Sequence, residues 1–370
     1  MAAETLSPRA LNRALLARQL LLERADVPPL EAVERLVGLQ AQEPLDPYTA
    51  LWSRLSGFRP ESLAYLLEGR RAVRIAAMRG TIHLVSAEDC LALRALMQPV
   101  LDAELSRHPA YAPLLAGVDL APVMRAAREA LAEPRSTREL RAIMRDGFPG
   151  HDAAALAYAC RCLLPLVQVP PRGVWGRTAQ VTLATAESWL GRPPPPEPSI
   201  DDAVLRYLAA FGPAAPADAA AWSRLPGMRA VLERLRPRLR TFRDERGREL
   251  FDLPDAPRPD PGTPAPVRFL PEYDNVLLSH ADRSRVVADA DRARLSAAAG
   301  IGSGSVLVDG VVRALWRLEG DRGSGAATLV VTHTGIPKRA AASVVAEGRR
   351  LLRLVASGAD GREVRLVAAP

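Results

Sequence analysis

The chain holds one lysine, three cysteines and five histidines among 370 residues, and each shortage closes off a class of chemistry. Cys90, Cys160 and Cys162 are odd in number. Their spacing fits neither a disulfide framework nor a four-ligand zinc site, so they read as small buried apolar residues. The histidines are too scattered for a metal cluster, and neither a metal nor a cofactor is expected. No run of 18 apolar residues is present, which argues against a membrane span. Residues 1–8 lack the basic-then-apolar pattern of a secretion signal, so the expected location is cytoplasmic. A phosphate-cradling P-loop, a dinucleotide glycine fingerprint and a paired histidine motif are all missing.

What is present is positive charge, carried almost wholly by arginine because Lys338 is the only lysine. The formal net charge is +7, which fits a polyanionic partner. Nine arginines between Arg224 and Arg248 face only Glu233, Asp244 and Glu245 in the same stretch. Of these, Arg229, Arg236, Arg240, Arg243 and Arg246 fall on an expected helix (Met228–Leu235) and on the hairpin after it, placed to meet phosphates. A solvated basic face is the alternative.

The length suits two to four modules, and the pattern along the chain repeats. Blocks at Pro8–Ser86, Leu120–Ala184 and Ser199–Leu253 each read as helices followed by a strand pair, with proline-rich joints at Pro193–Pro196 and Pro254–Pro266. In the first block, helical periodicity covers Leu11–Arg24, Leu30–Leu39 and Pro60–Leu67, and Val73–Val85 reads as two strands around Arg79 and Gly80. In the second, Ser136 and Glu139 form a capping-box start. The third contains the basic helix and a hairpin turning at Asp244 to Gly247. Beyond residue 266 come short strand candidates, Val276–Leu278 among them, a hairpin signal at Asp309 and Gly310, and a helix over Arg339–Leu354. The expected fold class is α+β: three tandem winged helix-turn-helix modules (residues 1–115, 116–197 and 198–266) and a C-terminal α+β cap (267–370). The cap is expected to pack back on the first block.

Gln40 and Gln42 stand out because the helix expected before them must stop by Pro44. Two amides there are either capping or exposed glutamines, or a pair that a loosened last turn brings to one pocket.

Leu39 to Pro44 (LQAQEP), Met78 to Ser86 (MRGTIHLVS), Leu270 to Ser279 (LPEYDNVLLS), Asp282 to Arg285 (DRSR), and Val306 to Gly310 (VLVDG) with Trp316 together resemble the tandem winged-helix DNA glycosylases. The resemblance runs in the same order over nearly the whole chain. Members of that family excise alkylated purines and unhook interstrand crosslinks, and some protect producers of DNA-alkylating antibiotics such as azinomycin. The resemblance implies a basic concave surface with Gln40 and Gln42 at the active site. Some members carry an acid where Gln42 stands; this chain resembles the two-glutamine branch associated with self-resistance.

A neutral amide is a poor base but can orient water beside a developing sugar cation. A purine alkylated at N7 already carries positive charge and leaves as a neutral base, so such a site suits it. Asp274 or Glu43 is expected to supply a negative field, although Asp274 beside Asn275 also reads as a turn residue. With Lys338 and the N-terminus the only amines, strand cutting through a Schiff base is disfavoured, and a monofunctional enzyme leaving an abasic site is expected. Arg79 and His83 on the first hairpin are candidates for facing the duplex, with a satisfied interior histidine the alternative for His83. Arg283, the turn Gly300–Ser305 and the segment His333–Arg339 with Lys338 and Arg339 are further DNA-contact candidates, or ordinary loops. The expected partner is double-stranded DNA with alkylated or crosslinked purines, bound by a monomer. The competing readings are a non-catalytic winged-helix transcription regulator and a structural module of a larger complex.

Overall fold

The computed structural model describes residues 4–193, 197–300, 302–320 and 325–369. Pro194 to Pro196 of the expected spacer, and Ile301 in the turn 300–305, lie outside them. Among the described residues no helix is long and apolar enough to cross a membrane.

The Ser7 side chain accepts from the Ala10 amide and starts the helix Pro8–Arg18, which buries Leu11, Leu15 and Leu16. This helix ends short of the expected Arg24 because Leu20 adopts φ of 57°, a left-handed conformation no helix continues through. The next helix, Pro29–Arg35, also stops early. Val37 and Gly38 take φ of 54° and 87°, and a Cβ on Gly38 would meet Val85 Cγ1 at 2.9 Å. The chain therefore enters Leu39–Gln40 as a strand rather than as a last helical turn.

Helices Asp46–Arg54 and Pro60–Glu68 precede the hairpin Ala72–Ala76 and Ile82–Ser86. The second block gives helices Leu120–Ala130, Thr137–Gly147 and Ala153–Leu163 and strands Leu166–Gln168 and Thr182–Thr185. The capping box at Ser136 and Glu139 forms as expected. The two hairpins are not separate: Arg74 pairs with Gln168 and Ile75 with Val167, giving one six-stranded sheet. Pairing two edges removes exposed ladder groups that each hairpin alone would present to water. Ile75, Val85, Val167 and Ala184 then share one buried core.

The third block has helices Ile200–Phe211, Pro216–Ser223 and Met228–Leu235, then strands Arg240–Asp244 and Glu249–Asp252. Thr5–Leu6 adds a third, parallel strand beside Arg240–Asp244. A buried ion pair, Arg18 to Asp252 at 2.6 Å, fastens the first helix to this hairpin.

The C-terminal sheet runs in chain order through Arg268–Leu270, Gly304–Val308, Val311–Gly320, Ala326–His333 and Gly361–Ala368. Its last two strands are parallel and are joined by the helix Lys338–Val355. The expected strand Val276–Leu278 is instead part of a single helical turn, Asn275–Leu278, because the Asp274 side chain accepts from the Val276 amide and caps it. The tight turn at Asp309 and Gly310 packs on the first helix. Asn12 Nδ2 donates to the Gly310 carbonyl at 2.8 Å, and a Cβ on Gly310 would meet Asn12 Oδ1 at 2.5 Å.

Candidate active site

The segment 38–42 is clamped from both sides. Asn275 Nδ2 donates to the Gly38 carbonyl at 2.7 Å, and its Oδ1 accepts from the Gln40 amide at 3.3 Å. The Ala41 amide donates to the Ile82 carbonyl, and Arg74 donates to the Ala41 carbonyl at 2.9 Å. Burial, with Arg172 nearby, pushes the Arg74 guanidinium down to about 10. Two residues apart in an extended backbone, side chains share a face, and here both glutamines turn to the same hairpin. Gln40 Oε1 accepts from Arg79 at 2.7 Å and from Thr81 Oγ1 at 3.3 Å, while Gln42 Oε1 accepts from the Ile82 amide at 3.4 Å. Gln40 makes these contacts from a strand and not from a loosened helical turn.

Arg79 can only donate, so it fixes the Gln40 amide with its oxygen inward and leaves the NH2 group to donate elsewhere. Gln40 is buried and Gln42 exposed. Arg79 and His83, candidates for facing the duplex, are turned inward: each is under a tenth exposed. The reason is polar pairing. Arg79 donates to the Trp222 carbonyl at 3.0 Å and to His83 Nε2 at 3.0 Å, while His83 Nδ1 donates to the Thr81 carbonyl at 2.9 Å. Both ring nitrogens are thereby served by a neutral imidazole. Burial and the adjacent Arg79 hold its pKa down at about 3. Burial, with Arg224 nearby, lowers Arg79 to about 10.

The hairpin forms one wall of a cleft of about 1000 Å³, lined by Gln42, Arg79, Thr81 and Ile82, by Glu104 and Arg107, and by Tyr158, Arg161 and Arg224 from the other blocks. Glu104 and Tyr158 carried no motif in the sequence; only the packing of helix Ala153–Leu163 against helix Gln98–Arg107 brings them here.

Asp274 is placed otherwise than a field-supplying carboxylate needs. It is buried, and both of its oxygens accept from Arg54 at 2.8 Å. Glu43 is exposed and faces Asp46. Burial, then the neighbouring Glu272, Glu43 and Asp274, push Asp46 up to about 7.

The basic stretch is more neutral than its local count suggests, because acids from distant segments pair with it. Arg234 bonds Asp201, Arg240 bonds Glu4, and Arg246 and Arg248 share Asp282. Arg236 lies between Glu233 and Glu249. Arg229, Arg243 and Arg283 are exposed with no carboxylate partner among the described residues. Lys338 and Arg339 are exposed in the first turn of their helix. The three cysteines are free and buried.

No curated protein sequence matches the chain. Its fold is similar to that of the solved DNA glycosylase AlkZ of Streptomyces sahachiroi, with a TM-score of 0.75 at 23% identity, covering 98% of this chain and 100% of that one. A family model described as DNA glycosylase AlkZ-like matches residues 33–354, a span that holds the glutamine segment, the first hairpin and most of the C-terminal sheet. The chain therefore belongs to the AlkZ-like DNA glycosylase family and is an enzyme that removes a base from DNA.

Proposed function

We propose that this glycosylase hydrolyses the N-glycosidic bond of N7-alkylated guanine in double-stranded DNA, interstrand crosslinks included. Its setting is repair of alkylation damage or self-resistance to a DNA-alkylating antibiotic. The three helix-and-hairpin blocks act as winged helices along the duplex (residues 1–115, 116–197 and 198–266), with residues 267–370 as a cap, and one copy of the chain suffices.

The observation that carries this reading is that two neutral amides bond one hairpin turn, with Gln42 lining an open cleft and Gln40 buried on Arg79 and Thr81, which line it. The Gln40 NH2 group donates and the Gln42 oxygen accepts, so one water held between them is positioned for C1′. Neither amide takes a proton readily, which matches a leaving group that departs neutral without acid catalysis. An open cleft also suits a base that is tied to the opposite strand and cannot swing fully out of the stack. Lys338 is exposed on a helix of the C-terminal sheet and does not line the cleft, which favours a product with an intact strand and an abasic site.

The test is incubation with duplexes carrying N7-methylguanine or an N7-guanine interstrand crosslink, followed by alkaline cleavage on a denaturing gel with spontaneous depurination subtracted. Breaks are expected only after alkali, and they should vanish in the Gln40→Ala/Gln42→Ala double variant while DNA binding persists. Loss of binding in that variant would make the glutamines structural. A borohydride-trapped adduct that Lys338→Arg abolished would overturn the monofunctional reading.

A further inference from the structure

The reaction builds positive charge at C1′, yet the cleft is lined by Arg79, Arg107, Arg161 and Arg224. Four guanidiniums serve a polyanionic substrate and oppose a sugar cation. The two acids that the sequence nominates to offset them are elsewhere: Asp274 is spent on Arg54, and neither it nor Glu43 lines the cleft. One carboxylate does line it, Glu104 on the helix Gln98–Arg107.

Its position is built rather than incidental. Tyr158 Oη donates to Glu104 Oε1 at 2.8 Å. The Tyr158 ring is held in turn by His108 and Tyr111, with ring centres 4.6 and 4.9 Å away. Burial first, then the Glu104 contact, push the Tyr158 phenol above its ordinary value, so it remains a donor. The other oxygen, Oε2, rests against the turn that carries Arg79 and Thr81, the two partners of Gln40. An ideal Cβ on Gly80 would lie 2.5 Å from it, so only a glycine with its φ of 74° lets the carboxylate approach that closely.

We propose that Glu104 is a catalytic residue of this enzyme, the carboxylate that offsets the sugar cation in place of an acid at the glutamine pair; this rests on the N7-alkylpurine reading above. The C1′–N9 bond breaks with its electron pair going to the cationic purine, which leaves neutral. The oxygen of the water held by the glutamines bonds C1′, and the proton that water loses passes to the Glu104 carboxylate. No oxidant, metal or amine is required.

The experiment is single-turnover excision of N7-methylguanine from a duplex with enzyme in excess, with DNA affinity measured separately by fluorescence anisotropy. Glu104→Gln keeps size and polarity and removes the charge. The expected result is a rate lower by about tenfold or more, with affinity unchanged or tighter because a negative group has left the phosphate-facing cleft. Glu104→Asp should recover part of the rate, which a purely structural role would not predict. Tyr158→Phe, which keeps the charge but releases it from its donor, should lose less than Glu104→Gln. A Glu104→Gln rate within twofold of the parent enzyme overturns the assignment while leaving the substrate reading intact. A parent enzyme inactive on the lesion overturns both. Should Glu104→Gln prove too unstable to assay, Glu104→Ala is read in its place, and a rate within twofold of the parent enzyme overturns the assignment.

Discussion

Asp274 grips Arg54 through two hydrogen bonds of 2.8 Å, and both side chains are sealed from solvent. The pair ties the turn before Asn275, which clips the glutamine segment, to the helix Asp46–Arg54. Removing one charge leaves the other buried without a counter-ion, which costs about 3–5 kcal/mol. Asp274→Asn is therefore expected to lower the denaturation midpoint sharply. If instead it abolished excision with stability untouched, Asp274 would be acting on the substrate.

Gln40 and Gln42 should separate in a stability assay although both matter for excision. Gln40→Ala strips the buried Arg79 of one of its two side-chain acceptors, at a cost of about 1–3 kcal/mol. Gln42 is exposed and makes one long contact, so Gln42→Ala should melt with the parent enzyme. Both single variants should lose excision roughly 10²-fold. Equal melting of the two would contradict the asymmetry.

Asp46 makes stability depend on pH in an unusual sense. The folded protein holds the Asp46 proton up to about pH 7, whereas the unfolded chain releases it near 3.8. Between those values the folded state binds more protons, so this residue's contribution is full below 3.8 and is lost as pH rises to about 7. Asp46→Asn removes the dependence. Its stability advantage over the parent should grow across that window and level off above it, on the order of 4 kcal/mol. An advantage that shrank with rising pH would refute the assignment.

Salt dependence of DNA binding should sort the arginines. Arg229, Arg243 and Arg283 are exposed and have no carboxylate partner among the described residues, so each alanine variant should lower the log–log salt slope by about one. Arg236 and Arg240 already neutralise Glu233, Glu249 and Glu4, and their alanine variants should change it less. Equal slopes for both groups would place the phosphates elsewhere.

Local signals were legible in the chain, and long-range ones were not. The capping box at Ser136, the helix Met228–Leu235 and the turn at Asp309 and Gly310 follow from side-chain chemistry within a few residues, and each forms where its pattern predicts. Gln40 and Gln42 both bond the first hairpin, Gln40 from a strand where periodicity expects a last helical turn. Left-handed conformations at Val37 and Gly38, which periodicity does not register, end the helix early. The charge of the basic stretch was misread because Glu4, Asp201 and Asp282 come from other segments. Glu104 stayed hidden for the same reason: its partners Tyr158 and Gly80 are distant or silent in sequence. The strand Gly361–Ala368 was also missed. It has few buried side chains, so alternation is weak there, and its parallel partner Ala326–His333 sets its place.

The ladder between Ile75 and Val167 has a mechanical consequence. Two hairpins that share hydrogen bonds form a stiff plate with no hinge between them. The spacing of whatever they touch is set by strand separation, close to 4.8 Å per strand, and not by a linker that can stretch. Any mismatch between that plate and a straight double helix must be absorbed by the double helix. Bending a site of 20–30 base pairs by 40–90° takes on the order of 1–6 kcal/mol. A duplex already weakened at a lesion yields more easily than an intact one, so under the proposed docking of these hairpins on DNA a stiff plate would favour damaged over undamaged duplex.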